Sequence, residues 1–249
     1  MEILTTHLPS GGCNYKFSSI NISPMNFLQV NKYHQNCPKD NLEKYLYNIR
    51  MLAEEEPRIY DCYVMDLDFI IFYKQLITVS SNLTYNVKVT CPYCNKEINK
   101  KLVLEKDVHF KAIDPKVMNG AQIALGDEMF YIIVPTVRDF MKVLDKYVRY
   151  KTVTDLDVIK LISLFKNVDV QGNQIEKAVL GATHSDITLL QALKDLYFNR
   201  LEDVEIECTN CSKTGERRVL TMSVNSLIVD FFRDIYINCP INGDKILFK

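Results

Sequence analysis

Apolar residues in MDLDFIIFYKQLITV, residues 65 to 79, recur at intervals of three and four, and in the following NVKVTCPYCNKEINKKLV they recur at two. The first spacing predicts an amphipathic helix and the second a strand. The same switch precedes Cys208. Displacing the chain by 117 positions lays NVKVTCPYCNK on DVEIECTNCSK without a gap, placing Val87 on Val204, Val89 on Ile206, Cys91 on Cys208, Cys94 on Cys211 and Lys96 on Lys213. Downstream, Lys100, Lys101, Leu102 and Val103 fall on Arg217, Arg218, Val219 and Leu220; upstream, Ile70, Phe72, Tyr73, Leu76 and Val79 fall on Ile187, Leu189, Leu190, Leu193 and Leu196. Each unit thus reads as a helix, a strand, a turn carrying Cys-x-x-Cys and a returning strand.

The remaining segments follow the same logic. Leu8-Pro9-Ser10-Gly11-Gly12 is turn chemistry, and Tyr15 to Ile22 alternates like a strand. Asp40 with Glu43 predicts a capping box for a helix ending near Glu56, before Pro57, with Leu42, Tyr45, Leu46, Ile49 and Leu52 on one face. A hairpin turning near Gly126-Asp127 is expected over residues 121 to 134. Two helices should follow, capped by Thr136 and Thr154, and a last helix should carry Leu227, Ile228, Phe231, Phe232 and Ile235. The implied segments are an N-terminal β arm (1–39), a helical segment with the first helix and hairpin (40–107), an inserted hairpin with helices (108–175), and the second helix and hairpin with the C-terminal helix (176–249).

At 249 residues the chain is long enough for a core that needs no staples, so size does not force a metal or a disulfide. Thirty basic against 31 acidic side chains leave no net field toward nucleic acid or an anionic membrane. The N-terminus lacks the pattern of a secretory signal, and the most apolar window, DFIIFYKQLITV, is interrupted by Lys74 and too short to span a bilayer. A soluble, unsecreted protein with no membrane insertion is expected. Its eight cysteines are then reduced or metal-bound rather than paired.

Two Cys-x-x-Cys turns, each flanked by strands, are the halves of a zinc ribbon, in which four soft thiolates surround one Zn2+. The metal ligands expected are Cys91, Cys94, Cys208 and Cys211, with structural zinc as cofactor. Unmetallated ribbon-like turns and redox work remain open, although a redox pair should open a helix whereas both pairs here interrupt strands. Cys13, Cys37, Cys62 and Cys239 have no partner at ligand spacing and read as small hydrophobes. The fold class expected is α+β: two helix-plus-β-hairpin units forming a zinc-ribbon-like element, with additional helices and an N-terminal β arm.

Lys96, Lys100 and Lys101 on one hairpin and Lys213, Arg217 and Arg218 on the other would allow contact with phosphate backbones, making a zinc-ribbon nucleic-acid-binding factor an alternative. No aromatic residues interleave for base stacking, and Glu97 and Glu216 dilute the charge, so nucleic acid is not the expected partner. No phosphate loop, His-Glu-x-x-His or Gly-x-Ser-x-Gly occurs, and His7, His34, His109 and His184 are scattered, so no enzyme is expected and no catalytic residue is assigned.

The order LPSGGCNYKFSSINISPM, then MDLDFIIFYKQLITVSSN, then VKVTCPYC resembles the baseplate hub proteins of contractile-tailed, T4-like bacteriophages. The elements that carry it are Leu8 to Gly11, Tyr15 and Pro24-Met25, mainly within residues 8 to 104. The chain departs from that pattern in having Asn26-Phe27-Leu28-Gln29 where an acidic cluster is usual. The resemblance implies a structural protein of the virion tail, made in host cytoplasm and acting in the baseplate hub through other hub and tail proteins, with a homo-oligomer compatible. A tail assembly chaperone absent from the mature particle is the nearer alternative. The arm around residues 1 to 25 is expected to be exposed and to become ordered on assembly.

Overall fold

Helices and short antiparallel hairpins alternate along the chain. The computed structural model describes residues 1–79, 83–111, 113–166, 168–198, 202–213 and 218–222. The expected helix around Leu227 to Ile235, Glu216, Arg217 and Cys239 lie outside the described residues.

Strands β1 (Glu2–Leu4) and β2 (Ser19–Asn21) pair antiparallel, with Ile3 opposite Ile20. Helices α1 (Phe27–Asn36) and α2 (Asn41–Glu55) precede the long α3 (Val64–Val79). Strands β3 (Thr84–Thr90) and β4 (Glu97–Val103) form a hairpin continued by one turn, α4 (Leu104–Asp107). A second hairpin, β5 (Ala121–Leu125) and β6 (Glu128–Ile132), leads into α5 (Val137–Tyr150), α6 (Leu156–Ser163), α7 (Val168–Leu180) and α8 (His184–Tyr197). Strand β7 (Val204–Glu207), the short α9 (Thr209–Lys213) and β8 (Val219–Met222) complete the described chain. The architecture is mixed: helices with small two-stranded antiparallel sheets.

The caps show which side chains start the helices. Asp40 accepts from the amides of Leu42 and Glu43, whereas the Glu43 carboxylate lies 3.4 Å from Lys151. Thr136 caps α5, as expected. α6 starts on Asp155, not Thr154, because the Asp155 carboxylate takes both the Asp157 and Val158 amides. Helix α1 falls within the segment read as an arm. Its start is a reciprocal box in which Asn26 accepts from the Gln29 amide and Gln29 from the Asn26 amide.

The chain divides into two units that run across the sequence. The first takes Met1–Ile22, Asn26–Ile71 and Lys111–Arg200; the second takes Ser23–Met25, Phe72–Phe110 and the part following Leu201. Helix α3 contributes its first half to one and its second half to the other. Its apolar residues are buried on every side, which explains the long hydrophobic run; no helix among the described residues is long and apolar enough to cross a membrane.

The core of the first unit gathers Ile49, Leu67, Phe140, Leu144, Ile162 and Tyr197, all at most 2% exposed. Lys160 is buried within it, 2.5 Å from the Asp68 carboxylate and facing the rings of Tyr45 and Phe198. The N-terminal segment belongs to this unit and is not an exposed arm. Ile3, Leu8, Ser10, Ile20 and Ile22 are buried, and the fully buried Asp66 accepts hydrogen bonds from the Ser10 amide (2.7 Å), the Ser10 hydroxyl (2.8 Å) and the Tyr15 hydroxyl. Tyr15 Oη in turn accepts from the Tyr63 amide at 2.7 Å, and its ring stacks on Phe17 and Tyr63. These contacts explain why only Ser19–Asn21 of the expected strand is paired. Gly12 is required here by geometry, because at φ +74° a Cβ would meet Thr5 at 3.0 Å.

In the second unit Lys74, buried on α3, donates to the Ser23 carbonyl at 2.8 Å, and the Met25 amide donates to Thr78 Oγ1 at 3.0 Å. The Leu104 amide closes on the Leu83 carbonyl, and the Glu202 amide on that of His109. The β3–β4 and β7–β8 hairpins both belong to this unit, and each holds one cysteine turn.

Candidate metal centre

Both turns are built the same way. In the first, the Cys91 amide donates to the Lys96 carbonyl at 2.9 Å and the Asn95 amide returns to the Cys91 carbonyl at 2.8 Å. In the second, the Cys208 amide donates to the Arg218 carbonyl at 2.9 Å and the Ser212 amide to the Cys208 carbonyl at 3.0 Å. Asn95 sits at φ +55°, a left-handed conformation that asparagine tolerates better than most residues. The amide following it is thereby turned toward sulfur.

The two hairpins differ in one respect that the sequence comparison misplaced. Lys96 corresponds to Arg218 rather than Lys213, so the second turn is five residues longer; the second pair also opens the short α9, which carries Cys211, where both pairs were expected to interrupt strands. The register confirms this: Val89 faces Ile98 in the first hairpin and Ile206 faces Leu220 in the second. Ile98 and Leu220 both pack against the cysteines. The ungapped match therefore holds for the helices, the first strands and the cysteines, and fails on the returning strands. An ungapped overlay carries no penalty for a loop insertion when the strands beyond it are short and alternating.

All four expected ligands meet. The Sγ atoms of Cys91, Cys94, Cys208 and Cys211 lie within 4.8 Å of one another, with Cys94 to Cys208 at 3.6 Å and Cys91 to Cys211 at 3.9 Å. A tetrahedron of thiolates with metal–sulfur bonds of about 2.3 Å needs sulfurs about 3.8 Å apart, whereas a disulfide needs about 2.05 Å. No disulfide joins these cysteines, and their spacing is compatible with a metal ion. Three are buried and Cys94 is half-buried. Among the described residues this is the one such group of His, Cys, Asp and Glu side chains.

The electrostatics have the same shape. The Lys96 amide, donating to Cys94 Sγ, holds that thiol down to about 6, with Asn210 and the neighbouring cysteines helping. Burial, followed by hydrogen bonds to the other three cysteines, pushes Cys211 up to about 12. Without a cation, one thiolate in the cluster disfavours the next; a divalent ion among them removes that penalty and releases the protons.

Around the cluster, Arg218 places its guanidinium 4.6 Å from the centre of the exposed Tyr93 ring, tying the residue after the second turn to one inside the first. The pattern gave no sign of this pair. Lys96, Lys101 and Lys213 are exposed, Lys100 is half-buried, and Lys88 pairs with Glu97 across the first hairpin at 3.5 Å. Of the other cysteines, Cys62 is buried and its thiol is pushed up to about 12, chiefly by burial, which makes it inert; Cys13 and Cys37 are half-buried. His7, His34, His109 and His184 are all exposed.

No protein family model, curated protein or solved structure matches this chain.

Proposed function

We propose that the four cysteines bind one structural Zn2+, making the two hairpins a zinc-ribbon-like element, and that the chain is a non-enzymatic part of the baseplate hub of a contractile-tailed phage. The observation that carries the metal reading is the convergence of four sulfurs within 4.8 Å of one another, two of the separations being 3.6 and 3.9 Å, from turns more than a hundred residues apart. Soft thiolates in a closed, largely buried set favour Zn2+ over hard cations, and four protein thiolates are the number a structural tetrahedral site takes.

The tail reading rests on the resemblance carried by Leu8 to Gly11, Tyr15 and Pro24-Met25. Its support from the fold is that two of its stretches, LPSGGCNY and MDLDF, meet in a single buried network of Ser10, Tyr15 and Asp66. Those motif residues hold the N-terminal segment in place, so the function lies in presenting rigid surfaces to neighbouring subunits.

Metal per chain by elemental analysis of the purified protein tests the first half, with a stoichiometry near one expected. Quantitative mass spectrometry of purified particles from the source phage tests the second. A small fixed number of copies relative to a known tail component is expected. Absence from particles whose assembly nevertheless requires the chain would make it an assembly chaperone instead, and absence with no assembly defect would remove the tail reading.

A further inference from the structure

We infer that strand β5 is a self-pairing edge: the same strand of a second copy of this chain adds to it antiparallel, about a twofold axis through Ile123, making one four-stranded sheet across two chains. The surface lies in the first unit and depends neither on a bound metal nor on the tail reading.

The hairpin fixes which backbone groups look outward. Its two-residue connection, Gly126 and Asp127, makes Leu125 and Glu128 a hydrogen-bonded pair, and the alternation gives Ile123 with Phe130 and Ala121 with Ile132 the same role. Gln122 and Ala124 therefore point their amides and carbonyls away from β6. The far edge of the sheet is already taken: the Tyr131 carbonyl accepts from the Lys166 amide at 2.8 Å, and the Ile133 amide donates to the Leu164 carbonyl at 2.7 Å. On the β5 side no strand follows among the described residues. Gln122 and Ala124 are exposed there, and their outward groups have no hydrogen-bond partner among those residues.

Open edges are ordinarily guarded by a lysine, a proline or a bulge, and β5, Ala-Gln-Ile-Ala-Leu in unbroken register, has none of these. A second copy suits this edge because the edge is its own complement. With Ile123 on the axis, Gln122 of each copy faces Ala124 of the other, so every outward amide and carbonyl finds a partner. Ile123, half-buried in the single chain, meets its own counterpart in the close, non-hydrogen-bonded position. Charge agrees with this pairing. The antiparallel run brings the Asp127 turn of each copy to the end of the other copy's β5 that follows Lys116; both residues are exposed, and neither has an ion-pair partner among the described residues. A five-residue edge buries less than the about 1,200 Å² at which stable interfaces begin, so the pairing is reversible and concentration-dependent.

The test is sedimentation of the full-length protein over a range of concentrations, with variants of the edge. The wild type should rise reversibly from the mass of one chain toward that of two. Ala124→Pro removes an outward amide while leaving the bonds to β6, and should stay a single chain. Ile123→Cys should join to itself on oxidation with glutathione disulfide, because a non-hydrogen-bonded antiparallel pair sets the Cα atoms about 4.5 Å apart. The product is read as the tryptic peptide from Val117 to Arg138, which has no native cysteine, linked to a copy of itself. This readout holds even where proline disturbs the hairpin. A wild type that stays single at every concentration, leaving the edge to a strand of some other protein, would overturn the inference. So would a dimer that persists in Ala124→Pro, one from which Ile123→Cys gives no self-linked peptide, or one in which Ala121→Cys, whose two copies stand four residues out of register, links as readily.

Discussion

Asp66→Asn tests whether burial or hydrogen bonding governs the carboxylate on which the N-terminal segment closes. Asp66 is fully buried, and burial raises its carboxyl to about 6 despite the opposing donors, the Tyr15 and Ser10 hydroxyls and the Ser10 amide. Its unfolded value is about 3.9. A folded pKa above the unfolded one means that the folded state holds the proton more tightly. This contribution is fully present below about pH 4 and is lost as pH rises through about 6. A shift of roughly two units corresponds to about 3 kcal/mol, of which about 2 kcal/mol falls between about pH 4.5 and 7.5. Asparagine does not titrate, yet its carbonyl still accepts the Ser10 amide and its NH2 faces two hydroxyls able to reverse. Urea unfolding of both proteins across that range isolates the residue, because other titrating groups cancel in the difference. The wild type should lose about 2 kcal/mol relative to Asp66→Asn as pH rises. A constant difference would show that Asp66 has an ordinary pKa, and a difference of opposite sign that its three donors outweigh burial.

Three further outcomes follow from the geometry. Cys91→Ser and Cys208→Ser should each reduce bound metal to near background, and chelation of the wild type should remove a binding contribution on the order of 10 kcal/mol from the unit holding both hairpins, read as a loss of protection in hydrogen exchange confined to those strands. Gly12→Ala should cost about 2 kcal/mol in chemical unfolding and Gly11→Ala about 1, since both need positive φ but only at Gly12 does a Cβ meet Thr5. Asp68→Ala should cost about 3 kcal/mol by leaving the Lys160 charge buried and unpaired, whereas Lys160→Met should cost about 1 or less because Asp68 is about one third exposed; equal costs would show that the pair is not governed by desolvation.

Much of this fold is legible locally. The spacing of three and four in α2, α5 and α8, the Gly126 turn between β5 and β6, and the strands leading into both cysteine pairs are properties of a few consecutive residues, whereas α3, expected to be amphipathic, is buried on both faces. So are the Asp40 and Thr136 caps. The pattern does not give α1 or α7, because α1 opens with exposed apolar residues, Phe27 and Leu28, and α7 follows so closely on α6 that one periodic pattern runs into the next. The Asn26–Gln29 box was the signal available for α1.

By itself the sequence determined that four cysteines come as two identically spaced pairs on strand-flanked turns, because ligand spacing within a turn is set by the turn. The pairs meet, as their matched spacing predicts, but packing alone settles that Lys96 corresponds to Arg218 and that Ser10 and Tyr15 close on Asp66. Each of these joins residues far apart along the chain. A partner at such a distance leaves no trace in local periodicity, since which buried polar group satisfies which is settled when the segments pack and water is excluded.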